Sequence, residues 1–396
     1  MAIVFMEEIL KRLPVKPLAQ FRTVSKPWKG LIDSPDFIAA YGVRRPHPDR
    51  FILRYIDSSD GWGRYLTFVD NDNDHSFTRQ DFVPTVPDLI KTLGSSSVVG
   101  SSHGLLCFTG FYEYRNGCLT KMVVVWNPST SKSIGIEVPY MHNYSPSRVD
   151  GVIGFGVCPV TFDPTIVKIE YGFGFPWKVG VFTLSTGTWS ILSTKLPRGS
   201  IRHLECWSQA VIDRFIYWVA VDLLVDEDDP SKFLIISFDL TAKEFKEINL
   251  TANLTNQLSD IQGIFNLRES LVVLANHEEF EEDQLVCYLW MMNEQGITKS
   301  FTKLYTIKLP DATVKSLLGF RKNGELILEI EYMYEENAQL EIYSPNSKAI
   351  NNLGIEGNVD SFFMSSYMET PLLLNQLDGL IYMISGNSPP SKKPRY

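Results

Sequence analysis

The sequence predicts an α+β multidomain protein, in which a small three-helix unit at the N-terminus is followed by an all-β repeat domain, a six-bladed β-propeller. Three observations lead to this prediction. Residues 1–45 have helical apolar spacing and a net charge of +4, whereas the remainder of the 396-residue chain carries −13. Beyond residue 50, short runs rich in Val, Ile, Phe, Tyr and Trp alternate with Gly, Pro and Asn turns. One strand–turn–strand unit of this pattern recurs six times, at intervals of 52 to 58 residues.

The first helix is predicted over residues 6–13. There the segment MEEILKRL places Ile9, Leu10 and Leu13 on one apolar stripe. Pro14 is expected to end this helix, because proline lacks an amide hydrogen and disfavours helical geometry in the residue before it.

Two further short helices are expected to follow, with a stop at the Asp-Ser-Pro sequence that ends at position 35. The second has an apolar series formed by Leu18, Phe21 and Val24. Ser25 can cap the third, with Pro27 tolerated in its first turn. The apolar side of the third helix consists of Trp28, Leu31 and Ile32. Three helices of this size cannot bury so many large apolar side chains among themselves, so some should face either another protein or the β domain of the same chain.

Residues 8–37 resemble the F-box of plant F-box proteins. The recurrent core of that motif reads E-I-L-x-R-L-P-V-K-x-L-x-x-F-R-x-V-S-K-x-W-x-x-L-I-x-x-P-x-F, and nearly every fixed position is present here. The resemblance implies docking onto a Skp-type adaptor and, through it, onto a cullin–RING ubiquitin ligase. Carried over by position, the residues implied in docking or in the F-box core are Ile9, Leu10, Leu13, Pro14, Val15, Leu18, Val24, Trp28 and Leu31. The sequence does not separate those two roles.

Two positions depart from the F-box pattern. Family members usually begin with a Leu/Ile-Pro dipeptide several residues before the Glu-Ile-Leu, whereas residues 1–4 contain no proline. The segment that faces the adaptor is therefore expected to be shortened. Pro27 also replaces the usual small or polar residue before the tryptophan, which requires the Ser25 cap.

The repeated unit of the β domain is an apolar strand that ends in an aromatic residue, followed by a polar turn and a second strand. The aromatics that precede the turn are Phe68, Trp126, Phe182, Phe238, Trp290 and Tyr343. A period near 50 residues with about four strands is typical of a propeller blade, because each small sheet stacks on its neighbours and the ring closes. A large β-sandwich with hairpins of similar length is the alternative.

The repeats lack the Gly-Gly doublet of kelch blades and the Gly-His and Trp-Asp pairs of WD blades. Residues 100–375 instead resemble the F-box-associated domain of plant F-box proteins, with its Asn-Pro-Ser-Thr turn at residues 127–130. The resemblance implies a kelch-like interaction domain that holds a target protein. We therefore expect an F-box over 1–45, the β domain over 46–385 and a flexible basic tail over 386–396.

Two segments match motifs of chemical sites only in part. Residues 100–104 (GSSHG) match G-x-S-x-G, but a strand-like segment follows where a nucleophile elbow needs a helix, so a turn between strands is favoured. Residues 70–74 (DNDND) resemble the start of a calcium loop, but His75 stands where that loop needs glycine, which favours an acidic hairpin tip. The six histidines are scattered without metal-ligand spacing.

These patterns favour a non-catalytic substrate receptor that needs no cofactor and that binds a Skp adaptor and an unidentified target protein. The alternatives are a propeller-fold hydrolase with a helical cap and an interaction scaffold that is no longer attached to a ligase. Nucleic acid is an unfavourable partner for a body of charge −13. A membrane partner is not expected, because the most apolar run, residues 215–225, is shorter than the roughly 20 residues of a span.

The cysteines and the N-terminus indicate the compartment. The five cysteines, Cys107, Cys118, Cys158, Cys206 and Cys287, lie far apart and are odd in number. Such spacing fits free thiols in a reducing compartment better than a disulfide framework. The N-terminus has no basic flank or cleavage site of a secretory signal, so the cytoplasm, the nucleus or both are expected.

Overall fold

The computed structural model contains a helical unit followed by six small sheets of mainly antiparallel strands, which confirms the fold class. It describes residues 2–43, 49–71, 76–114, 117–141, 150–172, 175–222, 232–257, 259–279, 284–293 and 299–383. The proposed basic tail and the boundary between residues 45 and 46 lie outside these ranges.

The helical unit has four helices where the sequence predicted three. They are α1 (Ala2–Leu10), α2 (Val15–Phe21), α3 (Lys26–Ile32) and α4 (Pro35–Val43). The additional helix is α4, and local interactions explain its start. Ser34 Oγ caps it by accepting a hydrogen bond from Phe37 N at 3.3 Å. The missing amide hydrogen of Pro35 has no energetic cost in the first turn of a helix. The predicted stop after α3 is thus also the start of another helix. Two single-turn helices, α5 (Asp88–Lys91) and α6 (Ala252–Thr255), lie between strands of the β domain.

The six sheets are the blades of the propeller. Blade 1 contains β1 (Asp49–Ile56), β2 (Gly63–Asp70), β3 (Phe77–Gln80) and β24 (Phe363–Ser366). Blade 2 contains β4 (Gly94–Ser102), β5 (Leu105–Glu113), β6 (Leu119–Asn127), β7 (Lys132–Glu137) and β25 (Leu380–Tyr382). Blade 3 contains β8 (Asp150–Val157), β9 (Pro164–Gly172), β10 (Phe175–Thr183) and β11 (Thr188–Leu192).

The remaining three blades have four strands each. Blade 4 contains β12 (Ile201–Ile212), β13 (Phe215–Asp222), β14 (Phe233–Asp239) and β15 (Glu244–Asn249). Blade 5 contains β16 (Asp260–Leu267), β17 (Ser270–Glu279), β18 (Gln284–Asn293) and β19 (Ser300–Lys308). Blade 6 contains β20 (Ala312–Phe320), β21 (Leu326–Tyr332), β22 (Ala338–Tyr343) and β23 (Ile350–Gly357). The innermost strands are β24, β4, β8, β12, β16 and β20, which contact one another around the axis.

All six aromatics of the predicted repeat lie in the third strand of their blade, counted outward from the axis. Each is buried, from Trp126 and Phe238 at 0% exposure to Tyr343 at 3%. They fill the apolar layers between neighbouring sheets, where burial of a large aromatic stabilises by roughly 1.5–3 kcal/mol. The repeat therefore marks blades, and the sandwich alternative is wrong.

The ring closes by bringing the end of the chain back to its first blade. Strand β24 pairs with β1 in antiparallel register, with Leu53 opposite Met364. A buried ion pair crosses the same seam, since Arg321 of blade 6 donates to Asp70 Oδ1 of blade 1 at 2.8 and 3.0 Å. Asp70 Oδ2 also accepts from the amide of Lys322 at 2.8 Å. The first residue of the DNDND segment thus has a structural role, and residues 72–75 lie outside the description.

Strand direction gives the propeller two distinct ends. Strands are counted outward from the axis. The turns after the first and third strands of each blade lie at one end of the propeller. The turns after the second strand and the connections between blades lie at the other end. The chain enters β1 from the helical unit beside the last residue of the closing strand, where Tyr367 N donates to Arg50 O at 2.6 Å. The first end is therefore the helical end, and the second is called the distal end below.

Glu329 on β21 is buried, at 1% exposure, and this gives a prediction about pH. Burial, with a smaller contribution from Asp360, raises the pKa of Glu329 from 4.5 to about 8. Between these values the folded protein keeps a proton that the unfolded chain releases, so the free energy of unfolding should fall as pH rises from 4.5 to 8. We expect Glu329→Gln to flatten this part of the stability curve and to be more stable than the wild type above pH 8.

Thermal or urea unfolding across this pH window tests the prediction about Glu329. Glu336→Gln is the matched control, because Glu336 is an exposed carboxyl of the same blade. A wild-type slope that survives in Glu329→Gln would assign the pH dependence to other groups.

Candidate functional site

The helical unit is built around its own small core. The buried side chains are Leu10, Val15, Leu18, Ile32, Phe37, Tyr41 and Leu374. Each has an exposure of 5% or less, and the last of them comes from the far end of the chain. The helices therefore do not complete a hydrophobic core by themselves, which agrees with the prediction made from their small size.

Side-chain hydrogen bonds hold the helix ends in place. Ser25 Oγ accepts from Trp28 N at 3.4 Å, and Pro27 lies in the first turn of α3, as the sequence predicted. The guanidinium of Arg22 binds both carboxylate oxygens of Asp33 at 2.6 and 2.8 Å. The Tyr41 hydroxyl, from α4, donates to Leu13 O at 2.8 Å. These contacts fix the loops on either side of α2 and α3 relative to α4.

The structure separates the nine candidate residues by exposure. Leu10, Val15 and Leu18 are buried in the core of the helical unit. Ile9, Pro14 and Val24 are exposed, with Ile9 at 50% and Val24 at 65%. Leu13, Trp28 and Leu31 are half-buried and pack against that core. The helical unit therefore leaves six of the nine side chains wholly or partly open to a partner.

Sequence reasoning missed three members of this core. Phe37 and Tyr41 are one helical turn apart on α4, and the Ser-Pro start before them was the signal that could have located this helix. Leu374 carries no local signal, because its partners in this core lie more than 330 residues earlier in the chain.

Leu374 belongs to a segment, residues 367–379, that we call the strap. It follows the closing strand β24 and reaches the helical unit at two points. Leu374 enters the core, and Glu369 Oε2 accepts a hydrogen bond from Val15 N at 3.0 Å, at the start of α2. A carboxylate at this position also interacts favourably with the positive end of the helix dipole.

Blade 2 holds the other side of the strap. Asn127 Nδ2 donates to Thr370 O at 2.9 Å and to Leu372 O at 2.7 Å, while its Oδ1 accepts from Ser129 N. Lys132 Nζ donates to Leu374 O at 2.9 Å, and burial lowers the pKa of this amine. The Asn-Pro-Ser-Thr turn therefore anchors the strap, and β25 then adds a parallel strand beside β7.

A central cavity of about 810 Å³ runs between the innermost strands. At its helical end, Ser102 Oγ lies 3.1 Å from His103 Nδ1 and accepts from Val157 N at 3.0 Å. His103 and Gly104 form a left-handed turn that leads directly into β5. The geometry is strand–turn–strand, as the turn interpretation of this segment expected, and it lacks the helix that a nucleophile elbow requires.

Gly104 is required at this turn by a close approach as well as by its positive φ of 76°. A Cβ at this position would lie 2.3 Å from Met368 O of the strap. The hairpin tip of blade 2 therefore sits directly under the strap.

Over the described ranges, no group of three or more His, Cys, Asp or Glu side chains could hold a metal ion. Over those ranges, too, no helix is long and apolar enough to cross a membrane. Within those ranges, Cys107, Cys158 and Cys287 are free thiols.

The fold and the helical site together define a six-bladed propeller protein with an N-terminal F-box. A family model described as an F-box domain matches residues 3–39, and one described as an F-box associated beta propeller domain matches residues 64–377. The chain belongs to the F-box associated beta propeller family. The kelch-like character that the sequence resemblance implied is not part of this match.

Relatives of similar length are plant F-box proteins. F-box protein CPR1 of Arabidopsis thaliana is 25% identical over 386 residues, which cover 90% of this chain and 84% of CPR1. F-box protein At4g22390 of the same plant is 22% identical over 407 residues, which cover 93% of this chain and 88% of the relative.

Among solved structures, the beta-propeller domain of the Trilobed protease from Pyrococcus furiosus has a TM-score of 0.38 and 14% identity. The match covers 66% of this chain and 71% of that one. The fold assignment rests on the sheets themselves and on the family match.

Proposed function

We propose that this protein is the substrate-recognition subunit of an SCF-type (Skp–cullin–F-box) E3 ubiquitin ligase. The F-box would dock onto a Skp adaptor, and through it onto cullin and RING subunits, while the propeller holds a target protein. The observation that carries this proposal is an F-box with exposed apolar side chains joined to a closed propeller. The working compartment would be the cytoplasm, the nucleus or both, which agrees with the free thiols.

The mechanism would be catalysis by proximity. The receptor supplies no chemistry of its own; it raises the local concentration of target lysines near a separate ubiquitin-transferring enzyme. Such a gain depends on a geometry in which both partners can be held at once. The strap supports this role, because it ties the F-box to blade 2 by hydrogen bonds and apolar packing and so limits the freedom of one domain relative to the other.

Exposure suggests a division of roles among the nine F-box residues. The exposed Ile9, Pro14 and Val24 would contact the adaptor first. Half-buried Leu13, Trp28 and Leu31 would become fully buried in the complex; Trp28 lies 5.1 Å from the Phe21 ring and is a suitable anchor. The buried Leu10, Val15 and Leu18 would support the docking face from inside.

Adaptor docking is tested by placing charge on the exposed apolar positions. We expect the double variant Ile9→Asp/Val24→Asp to lose co-purification with a purified Skp adaptor by more than about tenfold, because a carboxylate would have to be desolvated in an apolar interface. Leu13→Asp should have the same effect on binding, with an additional loss of F-box stability.

Ile191→Asp is the matched control, because Ile191 is a 62% exposed apolar residue on the outer strand of blade 3. This variant should bind the adaptor like the wild type. Full binding by a folded Ile9→Asp/Val24→Asp protein would contradict the assignment of the docking face. Absence of binding by the wild type would favour a scaffold that is no longer attached to a ligase.

A further inference from the structure

The distal end of the propeller exposes large apolar side chains on two neighbouring blades. Trp62, in the turn after β1, is 67% exposed. Met333 and Tyr334, in the turn after β21, are 69% and 90% exposed. Burying large aromatic side chains is favourable, so their concentration at one end of a protein points to a surface that a partner covers. We call the surface around them the distal patch.

Hydrogen bonds and ion pairs connect the two parts of the distal patch. Met333 N donates to Asp311 O at 2.9 Å. Lys315 Nζ lies 3.4 Å from a carboxylate oxygen of Glu331 and 3.9 Å from one of Asp360. Asn358 N then donates to Ile56 O at 2.9 Å, beside the turn that carries the tryptophan. The patch is therefore one continuous surface across blades 6 and 1.

The distal patch is strongly acidic. Its carboxylates are Asp57, Asp60, Asp311, Glu331, Glu335, Glu336, Glu356 and Asp360. The bases beside them are Arg64, which pairs with Asp57 and Asp60, Lys315, Arg79, which interacts electrostatically with Tyr55, and Lys308 at the end of β19. Acids thus outnumber bases by two to one around a set of exposed aromatic rings.

We propose that the distal patch binds a basic segment of the target protein, one in which Lys or Arg residues flank an apolar side chain. The proposal rests on the proposed function, since the segment would belong to the target. Carboxylates attract Lys and Arg, and the faces of Trp62 and Tyr334 can stack on a guanidinium or cover an aliphatic stem. A patch of eight acids around exposed rings is complementary to such a segment in charge and in exposed apolar surface.

The charge also argues against other occupants of the distal patch. A second copy of this chain would bring a like-charged surface against it, which costs free energy in a symmetric interface. Phosphate groups of nucleic acid would be repelled in the same way.

The location of the distal patch also supports a role in target binding. The distal patch lies at the opposite end from the F-box, so a bound segment would not compete with the adaptor. The strap holds the F-box at the helical end. Both partners could therefore be bound at once, as the proximity mechanism requires.

The test is a selection of short random-sequence peptides, displayed on phage, against the purified full chain. We expect the enriched sequences to carry net positive charge and at least one large apolar residue. Fluorescence anisotropy of an enriched peptide should show a loss of affinity of about tenfold or more for Trp62→Ala and for Tyr334→Ala. Charge reversal in Glu335→Lys/Glu336→Lys should weaken binding similarly, and rising salt should weaken wild-type binding.

Ile191→Ala and Glu269→Gln are the controls, because they change an exposed apolar group on β11 and an exposed carboxylate in the turn after β16, at the helical end. Both should bind the peptide like the wild type. Enrichment of acidic or uncharged peptides, no enrichment at all, or affinities that the patch variants leave unchanged would overturn the proposal.

Co-purification of the same variants with a Skp adaptor separates this inference from the proposed function. Distal patch variants that no longer bind the peptide but still bind the adaptor would support both the distal patch inference and the proposed function. Failure of the wild type to bind the adaptor counts against the ligase role. The peptide-binding results, in contrast, show whether the distal patch binds a basic segment.

Discussion

Leu374→Asp is expected to release the F-box from the propeller and to abolish adaptor binding. Leu374 is 5% exposed and lies in the core of the helical unit, so the variant would place a carboxylate among apolar side chains. Removing such a side chain alone costs about 2–5 kcal/mol, and burying an unpaired charge costs more. Hydrogen exchange should show loss of protection in α2 to α4, with the blade strands still protected.

The strap itself supplies the control for this experiment. Leu377 is three residues further along and 74% exposed, so Leu377→Asp adds the same charge to the same segment without entering the core. It should leave both hydrogen exchange and adaptor binding unchanged. If Leu374→Asp retained a protected F-box and full adaptor binding, the strap would have no part in holding the helical unit.

Asp70→Ala is expected to destabilise the whole propeller by about 3–5 kcal/mol, because it leaves Arg321 charged, buried and without its main partner. The Arg321 and Asp70 side chains are 7% and 3% exposed. The pair joins the first and last blades, so its loss should loosen the closure of the ring. Urea unfolding measures the change, and the midpoint should fall without a large change in slope.

Two further variants show whether the buried charge is the cause. Asp70→Leu/Arg321→Met removes both charges and should recover much of the lost stability, since apolar replacement of a buried pair is often neutral. Recovery should be partial, because Arg321 also binds Glu325 at 2.5 Å. Asp88→Ala, at an exposed pair with Lys91, should hardly move the midpoint. An Asp70→Ala protein as stable as this control would contradict the role of the seam.

Local sequence patterns predicted the features that depend on neighbours in the chain. The cap of α3 by Ser25 and the six buried aromatics are both short-range signals, and the buried aromatic recurs in every blade. Such patterns do not locate α4, because proline marks the end of one helix and the first turn of the next equally well. They could not separate buried from exposed F-box residues, since Ile9 and Leu10 are both apolar and adjacent in the chain.

The sequence alone predicted a helical unit followed by six blades, because periodicity, caps and turn chemistry act over a few residues, and resemblance to a family motif indicated the F-box. Tertiary structure decided which side chains remain open to a partner and how the two domains are joined. Leu374 reaches α2 and Asp70 reaches Arg321 only after the ring has closed. The acidic distal patch likewise forms only when two turns about 270 residues apart are brought to one end of the propeller. Contacts between residues so far apart in the sequence depend on the strand register of every blade between them. A local sequence pattern therefore does not predict them.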